Sequence, residues 1–135
     1  MSWALEEMEQ VDLGDKRLET RVISILNALG SKPLETIPVA CQGWAETKAA
    51  YRFFDNDKVT PDKILAPHRQ ATLKRIEAYP TILIIQDTTH LNYSTQYQKK
   101  DIGPLIHSHY RGILLHPTIA VTPGSLLRSY TISRI

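Results

Sequence analysis

The sequence predicts an α+β chain of 135 residues in which helices come first and strands follow. Apolar residues recur at helical spacing in three segments between residues 12 and 79. Two runs rich in β-branched residues follow, at residues 82–85 and 113–121. The composition, with 42% hydrophobic and 22% charged residues, is typical of a folded globular chain rather than a disordered one.

The first helix is predicted to begin after Asp12, which suits an N-cap, and to end at Gly30. Its other face carries Arg17 and Arg21, which lie one turn apart. A pair of this kind indicates either a solvated face or a contact for an anionic partner. The apolar stripe of this helix consists of Leu18, Val22, Ile25, Leu26 and Leu29.

The second helix is predicted from Trp44 to Phe54, after an extended connection bracketed by Pro33 and Pro38. Lys48 and Arg52 again lie one turn apart on it. Its buried set is predicted to be Ala50, Phe53 and Phe54, and Tyr51 is also expected in the core.

The third helix is predicted from Thr60 and Pro61, which suit an N-cap and a first helical position. Pro67 is expected to kink or restart it. The part that ends at Tyr79 is expected to turn Leu73 and Ile76 inward.

The run from Ile82 to Ile85 is short, apolar and β-branched, which is typical of a strand buried on both faces. The segment from Ser94 to Tyr110 is polar and is predicted to be a loop or a hairpin. A second strand is predicted from Ile113 to Val121. Pro117 inside it favours an edge strand or a bulge, because proline cannot donate a ladder hydrogen bond.

Asp87 follows the first strand directly, where an open sheet ceases to be buried and a ligand can approach. With Thr88 and Thr89 it offers oxygen atoms of the kind that Mg²⁺ prefers. The alternative is a turn in which the Asp87 carboxylate accepts hydrogen bonds from the next backbone N–H groups.

Composition excludes several classes of function. The longest apolar run is far short of a membrane span, and the acidic N-terminus lacks the features of a signal peptide, so we expect a cytoplasmic protein. Cys41 is the only cysteine, which excludes an internal disulfide and zinc sites built on cysteine pairs. No glycine-rich phosphate loop and no hydrolase motif is present.

The net charge of +2 hides an asymmetry along the chain. Residues 1–60 carry 7 Lys and Arg against 10 Asp and Glu, which gives −3, whereas residues 61–95 carry +1 and residues 96–135 carry +4. A basic excess of this size permits nucleic-acid binding without requiring it.

Three motifs taken together give the chain a resemblance to a known family. They are residues 12–17 (DLGDKR), 50–56 (AYRFFDN) and 84–93 (IIQDTTHLNY). In this order and spacing they resemble the N-terminal part of DDE transposases of the insertion-sequence-four family, of the type found in transposon five. The resemblance covers about residues 3 to 122.

The resemblance implies a helical domain at residues 1–79 that binds double-stranded DNA at transposon ends, followed at residues 80–123 by the first strands of an RNase H-like domain. It makes Asp87 the first of three catalytic carboxylates that hold Mg²⁺, as two-metal phosphoryl transfer requires. The family acts as a dimer on paired ends, which implies a partner in a second copy or an intact transposase. The residues expected to contact DNA are Arg17, Arg21, Lys48, Arg52, Thr88 and Thr89.

The last segment, residues 124–135, no longer resembles the family, and the regions that hold its second Asp and its Glu are missing. We therefore expect a truncated transposase that binds transposon-end DNA and is inactive as a single chain. Two alternatives remain open. One is a fragment that supplies its carboxylate to a partner transposase in trans, and the other is a poorly folded pseudogene product.

Overall fold

The structure is a computed structural model that describes residues 2–95, 102–105 and 109–122, together with the backbone of residues 130–133. The chain divides into two compact units, Met1–Lys74 and Arg75–Ile135. Helices form the N-terminal part and antiparallel strands the C-terminal part, so the predicted α+β class is confirmed. None of the helices in the described ranges combines the length and the apolar composition that a membrane crossing requires.

Five helices are found in the described residues of the N-terminal part. They are α1 (Trp3–Glu7), α2 (Lys16–Ser31), α3 (Ile37–Cys41), α4 (Trp44–Phe54) and α5 (Pro61–Ile76). The core of this unit lies where α2 and α4 pack against the segment that follows α1. Its buried members are Met8, Leu13, Val22, Ile25, Ala50 and Phe53.

Helix α2 begins three residues later than a cap at Asp12 predicts, so that prediction is wrong. Asp15 is the N-cap, and its carboxylate accepts a hydrogen bond from the backbone N–H of Arg17. Asp12 instead accepts a hydrogen bond of 2.9 Å from the backbone N–H of Gly14. Gly14 has a φ of +66°, which interrupts a right-handed helix and delays its start until Lys16.

Gly30 does not end α2, which continues to Ser31. A Cβ at this position would lie 2.6 Å from Cζ2 of Trp3. The glycine therefore allows the Trp3 ring to approach the backbone of α2, and its role is close packing rather than termination.

Two proline positions also differ from the sequence prediction. The connection between Pro33 and Pro38 is not extended throughout, because α3 begins at Ile37 and tolerates Pro38 in its first turn. Helix α5 runs through Pro67 without restarting, and this proline is buried. The buried face of α5 carries Pro67 and Thr72, so Leu73 is 49% exposed instead of turned inward.

The buried stripe of α4 consists of Thr47, Ala50 and Phe53, which follow one another at three-residue spacing. Ala50 and Phe53 are buried as predicted. Phe54 is 51% exposed and Tyr51 is 52% exposed, so their assignment to the core is wrong. Thr47 takes the remaining place in the stripe, and Phe54, the last residue of the helix, meets Phe53 edge to face with ring centroids 5.5 Å apart.

The strands all pair antiparallel with one long central strand. They are β1 (Leu83–Gln86), β2 (Thr89–Asn92), β3 (Gly103–Pro104), β4 (Arg111–Val121) and β5 (Tyr130–Ser133). One half of β4 pairs with β1 and β5, and the other half pairs with β2 and β3. The sequence predicted only β1 and β4; the short strands β2, β3 and β5 were not predicted.

Strands β1 and β2 pair with β4 in one continuous register, interrupted only at Asp87 and Thr88. Continuing that register places Asp87 opposite Pro117. The backbone N–H of Asp87 donates to the carbonyl of Pro117 over 3.4 Å, but proline has no N–H to return the bond. Pro117 therefore lies in a central strand, not at the predicted edge or bulge, and the missing donor faces the interruption between β1 and β2.

Strand β1 is not buried on both faces as its sequence predicts. Each of its four residues is exposed, and Leu83, Ile84 and Ile85 keep between 51% and 57% of their surface accessible. Neighbouring side chains of a strand point to opposite faces, so both faces of the sheet are open at β1. The continuous apolar run comes from residue type alone, whereas burial requires a layer packed on each face.

Candidate nucleic-acid interface

The four cations predicted to contact DNA all lie on α2 and α4. Arg17 stands in the first turn of α2, and its Nη2 lies 3.2 Å from Oδ2 of Asp15. The pKa of Asp15 lies below its usual value of 3.8. The main cause is the hydrogen bond from the Arg17 side chain, and the next is the hydrogen bond from the Arg17 backbone N–H. The guanidinium is itself 92% exposed, but its charge is offset by the capping carboxylate.

Arg21 lies one turn further along α2 and is committed to an ion pair. Its Nη1 lies 2.5 Å from Oε2 of Glu46, in the first turn of α4. The Arg21 side chain is 35% exposed and that of Glu46 is 58% exposed. Sequence reasoning missed Glu46, because only the packing of α2 against α4 brings residues 25 positions apart into contact.

Lys48 and Arg52 are both exposed on α4 and lie one turn apart. Neither forms an ion pair within the described part of the chain. They stand on the side of α4 away from the buried stripe of Thr47, Ala50 and Phe53. Of the four predicted cations, these two are therefore the exposed ones that form no ion pair with a described residue.

The structure does not place Arg21 on the same face as Lys48 and Arg52. Its partner Glu46 is two positions from Lys48, and residues at that spacing point to different sides of a helix. The exposed side of α4 instead carries two aromatic rings beside the cations, those of Trp44 and Tyr51. We refer to Trp44, Lys48, Tyr51 and Arg52 as the α4 face.

The other predicted site residues lie in the second unit. Asp87 is exposed, and its Oδ1 accepts a hydrogen bond of 2.8 Å from the backbone N–H of Thr88. The Thr88 hydroxyl forms a hydrogen bond of 2.7 Å with Nδ1 of His116 on β4. Thr89 begins β2 and pairs with Leu115. The Asp87 carboxylate thus accepts a hydrogen bond from the next backbone N–H, and whether it also holds a metal ion stays a prediction.

No cluster of metal ligands forms around Asp87 among the described residues. Within the described ranges there is no group of three or more His, Cys, Asp or Glu side chains that would hold a metal ion. His116 was not singled out from the sequence, because its proximity to Thr88 depends on the register between the β1–β2 edge and β4.

Comparison with protein families finds a match in the N-terminal unit, in the segment that includes the α4 face. Residues 1–59 match the family model described as transposase DNA-binding. The matched segment contains helices α1 to α4, and with them all four of the cations described above. The N-terminal part of the chain is thus similar to the DNA-binding segment of transposases, and the match supports DNA as its partner.

Proposed function

We propose that the helical unit binds double-stranded DNA at transposon ends, and that the α4 face is its contact surface. The single observation that carries this proposal is the pair Lys48 and Arg52, exposed and without acidic partners in a segment that matches a transposase DNA-binding model. The finer assignment to the insertion-sequence-four family rests on the sequence motifs described above.

The charge distribution explains why a local face is needed. The unit Met1–Lys74 carries 10 Lys and Arg against 11 Asp and Glu, which gives a net charge of −1, so its total charge does not attract phosphate. Arg17 and Arg21 are offset by Asp15 and Glu46. A field that attracts DNA therefore has to come from cations that lie apart from these acids, and Lys48 and Arg52 satisfy that condition.

The dimensions of α4 also suit this role. Its 11 residues span about 16 Å, and an α-helix fits the major groove of B-DNA, which is about 12 Å wide. Cations one turn apart reach neighbouring phosphates along one strand and set the position of the helix in the groove. Such contacts supply affinity and register, while base edges supply sequence discrimination.

The test is a fluorescence-anisotropy titration of the full chain against a duplex with the terminal sequence of the element and a scrambled duplex, at several salt concentrations. We expect binding that weakens with salt and favours the terminal duplex. The double variant Lys48→Ala/Arg52→Ala should bind both duplexes at least tenfold more weakly. Its salt slope should be smaller by about two, because two phosphate contacts are lost.

The matched control is Lys63→Ala/Lys74→Ala, which removes two exposed lysines from α5 and changes the net charge equally. If both double variants lose the same affinity, binding depends on net charge and the α4 face has no special role. If the folded chain binds neither duplex, the proposed function is wrong.

We further propose that Asp87 contributes one carboxylate to a Mg²⁺ site. The supporting observation is its exposed position at the interruption between β1 and β2. The described residues supply this carboxylate but not the set of ligands that a two-metal centre needs, so Asp87 alone holds an ion weakly. The test is the broadening of NMR signals around Asp87 by the paramagnetic ion Mn²⁺. We expect this broadening to be lost in Asp87→Asn and retained in the control Asp62→Asn. If both variants show the same broadening, the proposed Mg²⁺ site is wrong.

A further inference from the structure

Two large aromatic side chains on α4 are exposed without any role in the core. Trp44 is 79% exposed and Tyr51 is 52% exposed. Burying such rings is among the larger contributions that single residues make to stability, yet here most of the Trp44 surface remains in water. Tryptophan and tyrosine with this exposure are typical of a contact surface rather than of a fold requirement.

The positions of these rings relative to the cations are regular. Trp44, Lys48 and Tyr51 follow one another at spacings of four and three residues, which places them in one stripe along α4. Trp44 and Tyr51 are seven residues apart, about 10 Å along the helix axis. Three base-pair steps of B-DNA also cover about 10 Å. A helix lying along the groove thus presents the stripe to a few consecutive base pairs.

We infer that Trp44 and Tyr51 determine sequence preference in the major groove of duplex DNA, with the Trp44 ring in apolar contact with a thymine methyl group. This inference rests on the proposed function and assigns base discrimination to residues other than the cations. Lysine and arginine on the same face fix the helix against phosphates. The apolar ring distinguishes thymine, since its C5-methyl is the apolar group that base pairs present in the major groove.

Charge decides which occupant fits the α4 face. The rings are flanked by Lys48 and Arg52, which form no ion pair among the described residues, and Asp55 lines the same pocket, so the surface is apolar and keeps a net positive charge. A second copy of the chain would bring the same two cations against it across a two-fold axis, and like charges would repel. Duplex DNA supplies both a polyanion and methyl groups.

The experiment selects preferred sequences from duplexes with a randomised central segment, using the full chain and the variants Trp44→Ala, Trp44→Phe and Trp3→Phe. The exposed Trp3 of α1 is the matched control. We expect the wild-type chain to enrich a motif with thymine at one or more fixed positions. Trp44→Ala should lose that preference and bind the enriched duplex about tenfold more weakly. Trp44→Phe and Trp3→Phe should keep it.

A second measurement isolates the methyl group. Replacing the enriched thymine by deoxyuridine removes only that methyl, which should weaken wild-type binding about fourfold, as expected for one buried methyl, and leave Trp44→Ala unaffected. Circular dichroism of each variant checks folding.

Four results overturn the inference. If the wild-type chain binds duplexes without enriching any sequence, the proposed function stands but the aromatic rings do not discriminate bases. If Trp44→Ala enriches the same motif, or if sedimentation shows that Trp44 instead mediates self-association, the assignment of this ring to DNA is wrong. If no duplex binds, the proposed function fails with it.

Discussion

The guanidinium of Arg21 on α2 and the carboxylate of Glu46 on α4 form an ion pair of 2.5 Å, which joins the two helices that build the core of the first unit. Both side chains are partly exposed, so the pair adds at most about 1 kcal/mol to stability. If the helical unit binds DNA as proposed, we expect the larger effect of this pair to be on DNA affinity, because it occupies a cation that would otherwise be available to phosphate.

Glu46→Gln should therefore strengthen DNA binding. Removing the carboxylate frees Arg21 and eliminates a negative charge beside the first turn of α4, and we expect a severalfold gain in affinity at low salt and a salt slope larger by about one. Anisotropy titrations measure both quantities. Glu35→Gln, an exposed acid outside the helices, is the control for net charge. Equal gains in affinity for Glu46→Gln and Glu35→Gln would show that the ion pair does not restrain Arg21. The charge reversal Arg21→Glu should weaken DNA binding.

The N-cap of α2 should make stability depend on pH in the acid range. Hydrogen bonds from Arg17 lower the pKa of Asp15 in the folded chain below its usual value of 3.8. The charged carboxylate therefore stabilises the fold at pH values above 3.8. This contribution is lost as the pH falls through the lowered pKa of the folded chain. Asp15→Asn retains a capping oxygen but not the charge. We expect it to flatten the decline in thermal stability below about pH 4. Thermal unfolding monitored by circular dichroism at several pH values tests this prediction, with Asp57→Asn as the control. If the melting temperatures of the wild type and Asp15→Asn fall in parallel as the pH is lowered, the prediction is wrong.

Gly30→Ala should destabilise the helical unit even though alanine favours helices. The added Cβ would lie 2.6 Å from the ring of Trp3, so the ring or α1 has to move. In a Trp3→Ala background the obstacle is gone, and the same substitution should stabilise α2 by up to about 1 kcal/mol. A double-mutant cycle from denaturant unfolding measures this change of sign. A loss of stability in both backgrounds would mean that the Trp3 ring is not what Gly30 accommodates.

Pro117→Val should join β1 and β2 into one continuous edge. Valine supplies the N–H that proline lacks, and the register places it opposite the carbonyl of Asp87. We expect the amide of residue 117 to be protected from hydrogen exchange and the sheet to gain stability. Thr118→Val is the control, because it changes a neighbouring β4 side chain without adding an amide. Fast exchange at residue 117 would show that the backbone at Asp87 and Thr88, not the proline, interrupts the ladder.

Much of the helical unit could be predicted from the sequence because local patterns specify it. The stripe of Val22 and Ile25 on α2 and the buried positions Ala50 and Phe53 on α4 follow from helical periodicity. The pairs Arg17–Arg21 and Lys48–Arg52 follow from the same spacing. The first residue of α2 could not be predicted in this way, because the positive φ of Gly14, which moves the cap from Asp12 to Asp15, is a property of the folded backbone.

What the sequence by itself determined is that helices come before strands, the buried positions Val22, Ile25, Ala50 and Phe53 of α2 and α4, and the motifs that resemble transposases. Tertiary structure alone decided which cations are free, because Glu46 reaches Arg21 only when α2 packs on α4. It also decided that the apolar strand β1 is exposed and that Pro117 stands opposite Asp87. Periodicity and residue type are local properties, whereas burial, ion pairing and strand register depend on segments that meet only in the folded chain.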